Sequence, residues 1–358
     1  MTALTWILTA VGLVTVAVCA ARVHRRGGPV PGTTLALSVA GLLALPAQSA
    51  VSRWNQVVLT TRREVRIMSR HLTAGVDGSA ESFRAAEWAA DEALLRGTDL
   101  RLVFADQWQV SATRAVAGLE PHRWADKMLA DAASGVLQRH PGLEITKLHL
   151  AGRPAAVLAV EAAVAELLVL GSRGLGRVMG FLIGSVGLAT VCATERPVVL
   201  VRGTQRPGDE RPVSPDGRGR DVVVGVDVHH SCEALLSFAF EEAALRGCTL
   251  RALHGWSLPP VVRDAAALEA AEREMSPDVA RRLADSLLPW RARFPSVEVV
   301  ESTPVGGPAL QLLHAAAAAD LVVVGRRIRE NPAGAHIGSV THAVLHHSPA
   351  PVAVIAHS

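Results

Sequence analysis

Lysine is almost missing from this chain. It occurs only at Lys127 and Lys147, and arginine supplies the rest of the basic charge. With no Gly-Lys-Ser/Thr stretch anywhere, a Walker-type phosphate loop is excluded. The arginine and alanine bias is that of a GC-rich coding sequence and is no signal of phosphate recognition. Charge of one sign is missing as well: 36 Lys and Arg stand against 33 Asp and Glu, interspersed, for a formal net charge of +3. That excludes an electrostatic case for nucleic acid. Cysteine is scarce, and Cys19, Cys192, Cys232 and Cys248 form no C-x-x-C. A disulfide framework and a structural zinc site are thereby excluded, and a reducing compartment fits. What the chain has in quantity is apolar side chains, 49% of 358 residues, enough core for two or three domains.

The first 67 residues stand apart. Residues 3–21, "ALTWILTAVGLVTVAVCAA", carry no charge and run into "RVHRR". Length and flank suit one transmembrane helix with its basic end cytoplasmic. A second run, "TLALSVAGLLALPA", is shorter and ends near Pro46. The other reading is a start placed too early, since the globular pattern opens at Met68 with "MSRHLTAGVDGS". The two readings carry two expectations: an inner-membrane anchor with cytoplasmic domains, or a wholly cytoplasmic protein.

From there the sequence repeats itself. "AGVDGSAESFRAAEWAADEALLRGTDLRLVFA", from Ala74, aligns without gaps to "VGVDVHHSCEALLSFAFEEAALRGCTLRALHG", from Val224. Farther on, "ELLVLGSRG" matches "DLVVVGRRI", Gly184-Ser185 matches Gly338-Ser339, and "PVVLV" matches "PVAVI". The units are set at residues 68–203 and 219–358. The stretch between them, rich in Pro, Gly and charge, reads as an exposed linker over 204–218. Each unit alternates strand and helix. In the first, "HLTAGVD", "LRLVFA", "LEITKLHL", "ELLVLG" and "PVVLV" read as strands. Phe83, Ala86, Ala90, Ala93 and Leu94 give a helical spacing that Gly97 stops, and Pro154 suits a first helical position. Such alternation implies parallel βαβ units with right-handed crossovers. The expected fold class is α/β: two tandem open doubly wound sheets of five parallel strands each, after a hydrophobic leader.

The stretch "GSRGLGRVMGFLIGSVGLAT" is the chemical centre of the pattern. It follows the apolar "AELLVL" and contains Gly171, Gly174, Gly176, Gly180 and Gly184, then Ser185. In doubly wound sheets ligands bind beyond the carboxyl ends of the strands. Asp77 ends the first strand and Gly171 the fourth, so neighbouring strands would bring both to one crevice. Glycines permit left-handed turns and close approach to backbone N–H groups, and such N–H groups form anion nests. Gly184 and Ser185 would then open a helix whose N-terminus favours a phosphate. The spacing G-x2-G-x9-G-S is thus shaped like a phosphate cradle. The competing reading is a tight turn with small residues for helix packing, and Asp77 has its own bland alternative as a helix cap.

"AGVDGS", "ELLVLGSRG", the glycine spacing and "PVVLV" resemble the universal stress protein family, over residues 68–358 and in its tandem form. The resemblance implies nucleotide-binding α-hydrolase-like domains with strand order 3-2-1-4-5, and ATP, with Mg, between strands one and four. By position, Asp77 would meet the adenosine end and the backbone of Ala105 the adenine. Gly171, Gly174, Gly184 and Ser185 would hold the phosphates. The family pairs through its last strand, so "PVVLV" and "PVAVI" would pair within the chain, or a homodimer would form. The second-unit counterparts are Asp227, Gly255, Gly325, Gly338 and Ser339. There "GVDVHH" replaces "GVDGS" and Ile328 stands where the second glycine belongs. A β-branched residue resists left-handed φ, so nucleotide binding there should be weak or absent.

Weaker signals fall to bland readings. His342 and His346, four apart beside His347, suggest a metal pair with no third ligand, so a polar helix face is preferred. His229 and His230 read as a solvated loop. Trp88, Trp108, Trp124, Trp256 and Trp290 read as packing residues. No side-chain set supports vigorous catalysis, since no base stands beside a nucleophile and no lysine is near. The expected function is a regulatory, stress-responsive ATP-binding protein. The alternatives are a slow ATPase or phosphotransferase and a non-nucleotide scaffold.

Overall fold

The structure, a computed structural model, describes residues 70–106, 120–172, 184–202, 220–230, 232–257, 265–328 and 337–357. The leader and its expected anchor lie outside these residues. Among the described residues no helix is long and apolar enough to cross a membrane.

The first repeat runs β1 (His71–Gly75), α1 (Ala80–Arg96), β2 (Asp99–Asp106), α2 (Glu120–Arg139), β3 (Ile145–Ala151), α3 (Pro154–Val164), β4 (Leu167–Ser172), α4 (Ser185–Ala193) and β5 (Val198–Arg202). The second runs β6 (Asp221–Gly225), α5 (Glu233–Arg246), β7 (Leu250–Leu253), α6 (Ala265–Arg293), β8 (Val299–Ser302), α7 (Pro308–Ala316), β9 (Ala319–Arg327), α8 (Ser339–His347) and β10 (Val352–His357).

Local chemistry sets the elements. Ser79 caps α1, its Oγ accepting the Ser82 N–H at 3.2 Å. Gly97 ends the helix in left-handed backbone, φ 62°, where a side chain would be strained. The buried face of α1 is built from Ala85, Ala86, Ala89, Ala90 and Ala93. These small residues lay the helix close on the sheet, and Leu94, expected in the apolar stripe, is left 46% exposed. β4 buries Leu167, Leu168, Val169 and Leu170. Leu167 and Val169 enter one core, Leu168 and Leu170 the other, as the two-residue period of a strand covered on both faces requires. Each such side chain contributes roughly 1.5–3 kcal/mol on burial.

The strands do not form two sheets. They form one sheet of ten, ordered β3-β2-β1-β4-β5-β10-β9-β6-β7-β8. Within each half the order is 3-2-1-4-5 and every pairing is parallel. The halves join where β5 and β10 pair antiparallel, Val352 with Leu200, Ala353 with Val199 and Val354 with Val198. The physical reason is edge satisfaction. Alone, each half would expose an apolar edge strand with open N–H and C=O groups, and mutual pairing removes both edges.

A second bond crosses the seam. Glu92 and Arg96 of α1 meet Glu242 and Arg246 of α5, the same positions in the two repeats. Arg96 Nε donates to Glu92 Oε1 at 2.6 Å, and the other amino groups of both arginines close the ring of four onto Glu242 and Glu92. The Glu92 side chain is 1% exposed and that of Glu242 0%. Arg96 also lies over the Phe238 ring. No desolvated charge in this ring lacks a counter-charge.

Candidate functional site

The parallel pairing of β1 with both β2 and β4 fixes which strand ends meet. Gly75 pairs with Leu170 on β4 and with Val103 on β2, and the Val76 N–H continues the ladder to the Val103 carbonyl at 2.8 Å. Just beyond lie Asp77, Gly171 and Ala105. These three expected positions therefore stand on adjoining strand ends. Ala105 is half-buried and pairs with Leu150.

Asp77 is exposed and its carboxylate shapes the turn. Oδ1 accepts the Ser79 N–H at 3.0 Å and also the Ser79 hydroxyl. The Asp77 N–H donates to Ser82 Oγ at 3.2 Å. Ser79, not Asp77, is the helix cap, and Asp77 braces that cap. The turn needs Gly78, whose φ is 85°.

The glycines differ in what they do. Left-handed backbone, expected along the glycine loop, is found at neither Gly171 nor Gly184. At Gly171 a Cβ would lie 2.6 Å from the Glu81 carbonyl carbon and 2.7 Å from the Ser82 nitrogen. The start of α1 rests directly on this residue, so Gly171 serves helix packing. Gly184 is extended, φ −57° and ψ 147°, and caps α4. A Cβ there would meet nothing within 4 Å. The first turn of α4 has no acidic residue, and Ser185 and Val186 are exposed. A helix start of this kind, with no acidic residue in its first turn, suits an anion. Gly174, Gly176 and Gly180 lie outside the described residues.

Sequence reasoning missed a polar pair beside this crevice. His149 Nε2 lies 2.9 Å from Asp106 Oδ2, and Asp106 Oδ1 is buried with no partner among the described residues. Phe104 stands between His149 and Trp124, ring centroids 5.2 Å and 5.6 Å away. Trp124 is 53% exposed, and a Cβ on Gly78 would sit 3.3 Å from its ring. It packs edge-on against Phe104 and over the turn, a packing residue at the surface. The carboxylate ending "LRLVFAD" was the available signal.

The second half fills the same positions with its own side chains. Asp227 Oδ1 accepts the His229 N–H at 3.0 Å. Its Oδ2 meets His230 Nδ1 at 2.8 Å and lies 3.9 Å from Arg327. Partial burial would raise the Asp227 pKa, but the His229 N–H, the His230 ring and the charge of both histidines hold it below the usual range. His229 and His230 stand in an exposed loop, as expected, and are also partners of Asp227. At Gly325 a Cβ would lie 2.6 Å from His357 Nε2, and at Gly255 one would lie 2.6 Å from Pro308 Cα. β9 runs on to Arg327, paired with His357, and the Ile328 N–H donates to the His357 carbonyl at 2.7 Å. Ile328 thus continues the sheet where the first half has a glycine. Gly338 caps α8 with φ −58° and ψ 150°, the same backbone as Gly184, and Ser339 follows it.

His342 and His346 stack with ring centroids 4.3 Å apart. Burial first, then the neighbouring His346 and His347, lower the His342 pKa. Among the described residues no group of three or more His, Cys, Asp or Glu could hold a metal ion.

The universal stress protein family model matches residues 68–202 and again 219–356. The chain belongs to the universal stress protein family. The universal stress proteins Rv1996 of Mycobacterium tuberculosis and Mb2019 of Mycobacterium bovis are each 34% identical to it over 307 residues, 79% of this chain and 94% of theirs. Rv2623 of Mycobacterium tuberculosis is 33% identical over 296 residues, 80% of this chain and 96% of its own. Among solved structures, a universal stress protein from Archaeoglobus fulgidus superimposes with a TM-score of 0.59 at 19% identity, covering 81% of this chain and 100% of that one. One from Pseudomonas aeruginosa gives 0.51 at 16% identity, covering 81% and 94%. These two share the fold. As a tandem universal stress protein, the chain carries two crevices of one ancestry and unequal chemistry.

Proposed function

We propose that this universal stress protein binds ATP with Mg in the crevice of its first half and acts as a nucleotide-responsive regulator, without turnover of its own. The observation that carries this reading is the contrast between the crevices. In the first, the Asp77 carboxylate turns back onto Ser79, and α4 starts at Gly184 with Ser185 exposed. In the second, His230 and Arg327 lie against the Asp227 carboxylate and Ile328 carries β9 onward, while α8 starts at Gly338 as α4 does at Gly184. Asp77 would face the sugar, the Ala105 backbone the base, and Gly174, Gly184 and Ser185 the phosphates. Gly171 would contribute by seating α1. Mg would supply charge neutralisation at the phosphates, and this chain's part is to orient them at the α4 N-terminus. Free thiols at Cys192, Cys232 and Cys248 suit a cytoplasmic setting.

The test is calorimetric titration of Mg-ATP into the full chain. One site per chain is expected, and Gly184→Val should abolish it while leaving the fold intact. Two sites would mean that the second crevice opens to ligand. No heat would leave the fold as an interaction scaffold. Phosphate release that is linear in time, and lost in Asp77→Ala, would establish a slow ATPase instead.

A further inference from the structure

The antiparallel seam places the two halves head to tail. The last turn of α4, in the first half, therefore lies by the carboxyl end of β9, in the second. Arg326 stands at that strand end with only 9% of its surface exposed. Its Nη2 donates to the Thr194 carbonyl at 2.8 Å. Thr194 is the residue that ends α4. The charge is felt inside the helix: burial raises the Cys192 thiol pKa, and Arg326 pulls against it.

The reciprocal contact is weaker. Arg202, at the end of β5, reaches the Leu345 carbonyl in α8 at 3.5 Å, and burial lowers its pKa to about 10. The repeat is also unequal here, because the residue aligned with Arg326 in the first half is Ser172, too short to cross the seam. An arginine of the second half thus holds the end of a helix of the first, with no counterpart in the other direction at the aligned position.

We propose that Arg326 is a positioning residue for the first-half nucleotide site: the second half holds the far end of α4 so that its N-terminus is set for the phosphates. This rests on the ATP-binding reading above. A cation at a helix C-terminus opposes the partial negative charge there and steadies the last turn of this helix of 9 residues. Fixing the last turn also removes freedom that ligand binding would otherwise have to remove. Arg326 sits next to Arg327, which faces Asp227, so the second crevice lies within one residue of the contact.

The experiment measures Mg-ATP affinity of the full chain by calorimetry in the parent, Arg326→Ala, Arg326→Gln, Arg326→Lys and Arg202→Ala, with urea unfolding on each. Arg326→Ala should bind between about threefold and thirtyfold more weakly. Arg326→Lys should recover most of the loss, and Arg326→Gln, which keeps a donor without the charge, only part. Arg202→Ala removes the matching contact at the same seam and should leave affinity within about twofold. Equal affinity in the parent and Arg326→Ala would overturn the proposal. So would equal losses in Arg326→Ala and Arg202→Ala, which would reveal general loosening of the seam. If Arg326→Ala does not fold, the Lys and Gln variants decide, and identical affinity in the two removes the role of charge. A parent that binds no nucleotide sinks the ATP-binding reading itself, and this proposal with it.

Discussion

Two glycines of one motif separate by what a methyl group would meet. At Gly171 the added carbon would lie under 3 Å from backbone atoms of Glu81 and Ser82, so α1 must move. Gly171→Ala should cost about 1–3 kcal/mol in urea unfolding, as overpacking does. Gly184→Ala has room and ordinary backbone, and should cost only the exchange of a helix cap, about 0.5–1 kcal/mol. Equal costs would show that the packing role of Gly171 is misassigned. In the sequence the two are indistinguishable, because the clash depends on how closely alanine-faced α1 approaches β4. Asp227 gives a pH test. Its folded pKa is depressed below the ordinary 3.8. Its stabilising contribution is therefore full above that value and is lost as pH falls through the folded one. Asp227→Asn should flatten the stability curve below about pH 4, and an unchanged acid limb would show that the His229 and His230 contacts do not hold in solution.

At the scale of elements, the alternation of strand and helix was legible because each strand is a short apolar run and each helix carries a stop such as Gly97. The order of strands in each half followed from the family resemblance. The joining of the halves through "PVVLV" and "PVAVI" likewise followed from the resemblance, and the antiparallel pairing of β5 with β10 is that joining. The ring of Glu92, Arg96, Glu242 and Arg246 was not legible at all. "ALLRG" and "AALRG" show that the repeat retains the arginines, but nothing local says that they turn inward, Arg96 to a partner 146 residues away. Breaking one member leaves a buried charge uncompensated. Glu242→Gln should lower unfolding free energy by about 3–5 kcal/mol, measured by urea denaturation. A change below about 1 kcal/mol would mean that water enters the seam and screens the ring.

For the whole molecule, the antiparallel seam has a consequence for the connecting segment. Parallel strands within each half and opposed directions between halves put the carboxyl end of β5 and the amino end of β6 on the same border of the sheet. β5, β10, β9 and β6 follow one another across it, so those two ends are roughly 15 Å apart. Residues 203–219, drawn out, would span roughly 55 Å. The connection therefore has several times the length it needs, and it is anchored at both ends along the border where the Asp77 crevice opens. Both of its anchors, Arg202 and Arg220, therefore stand on the border of the sheet that carries Asp77, and the Asp227 turn stands on the opposite one.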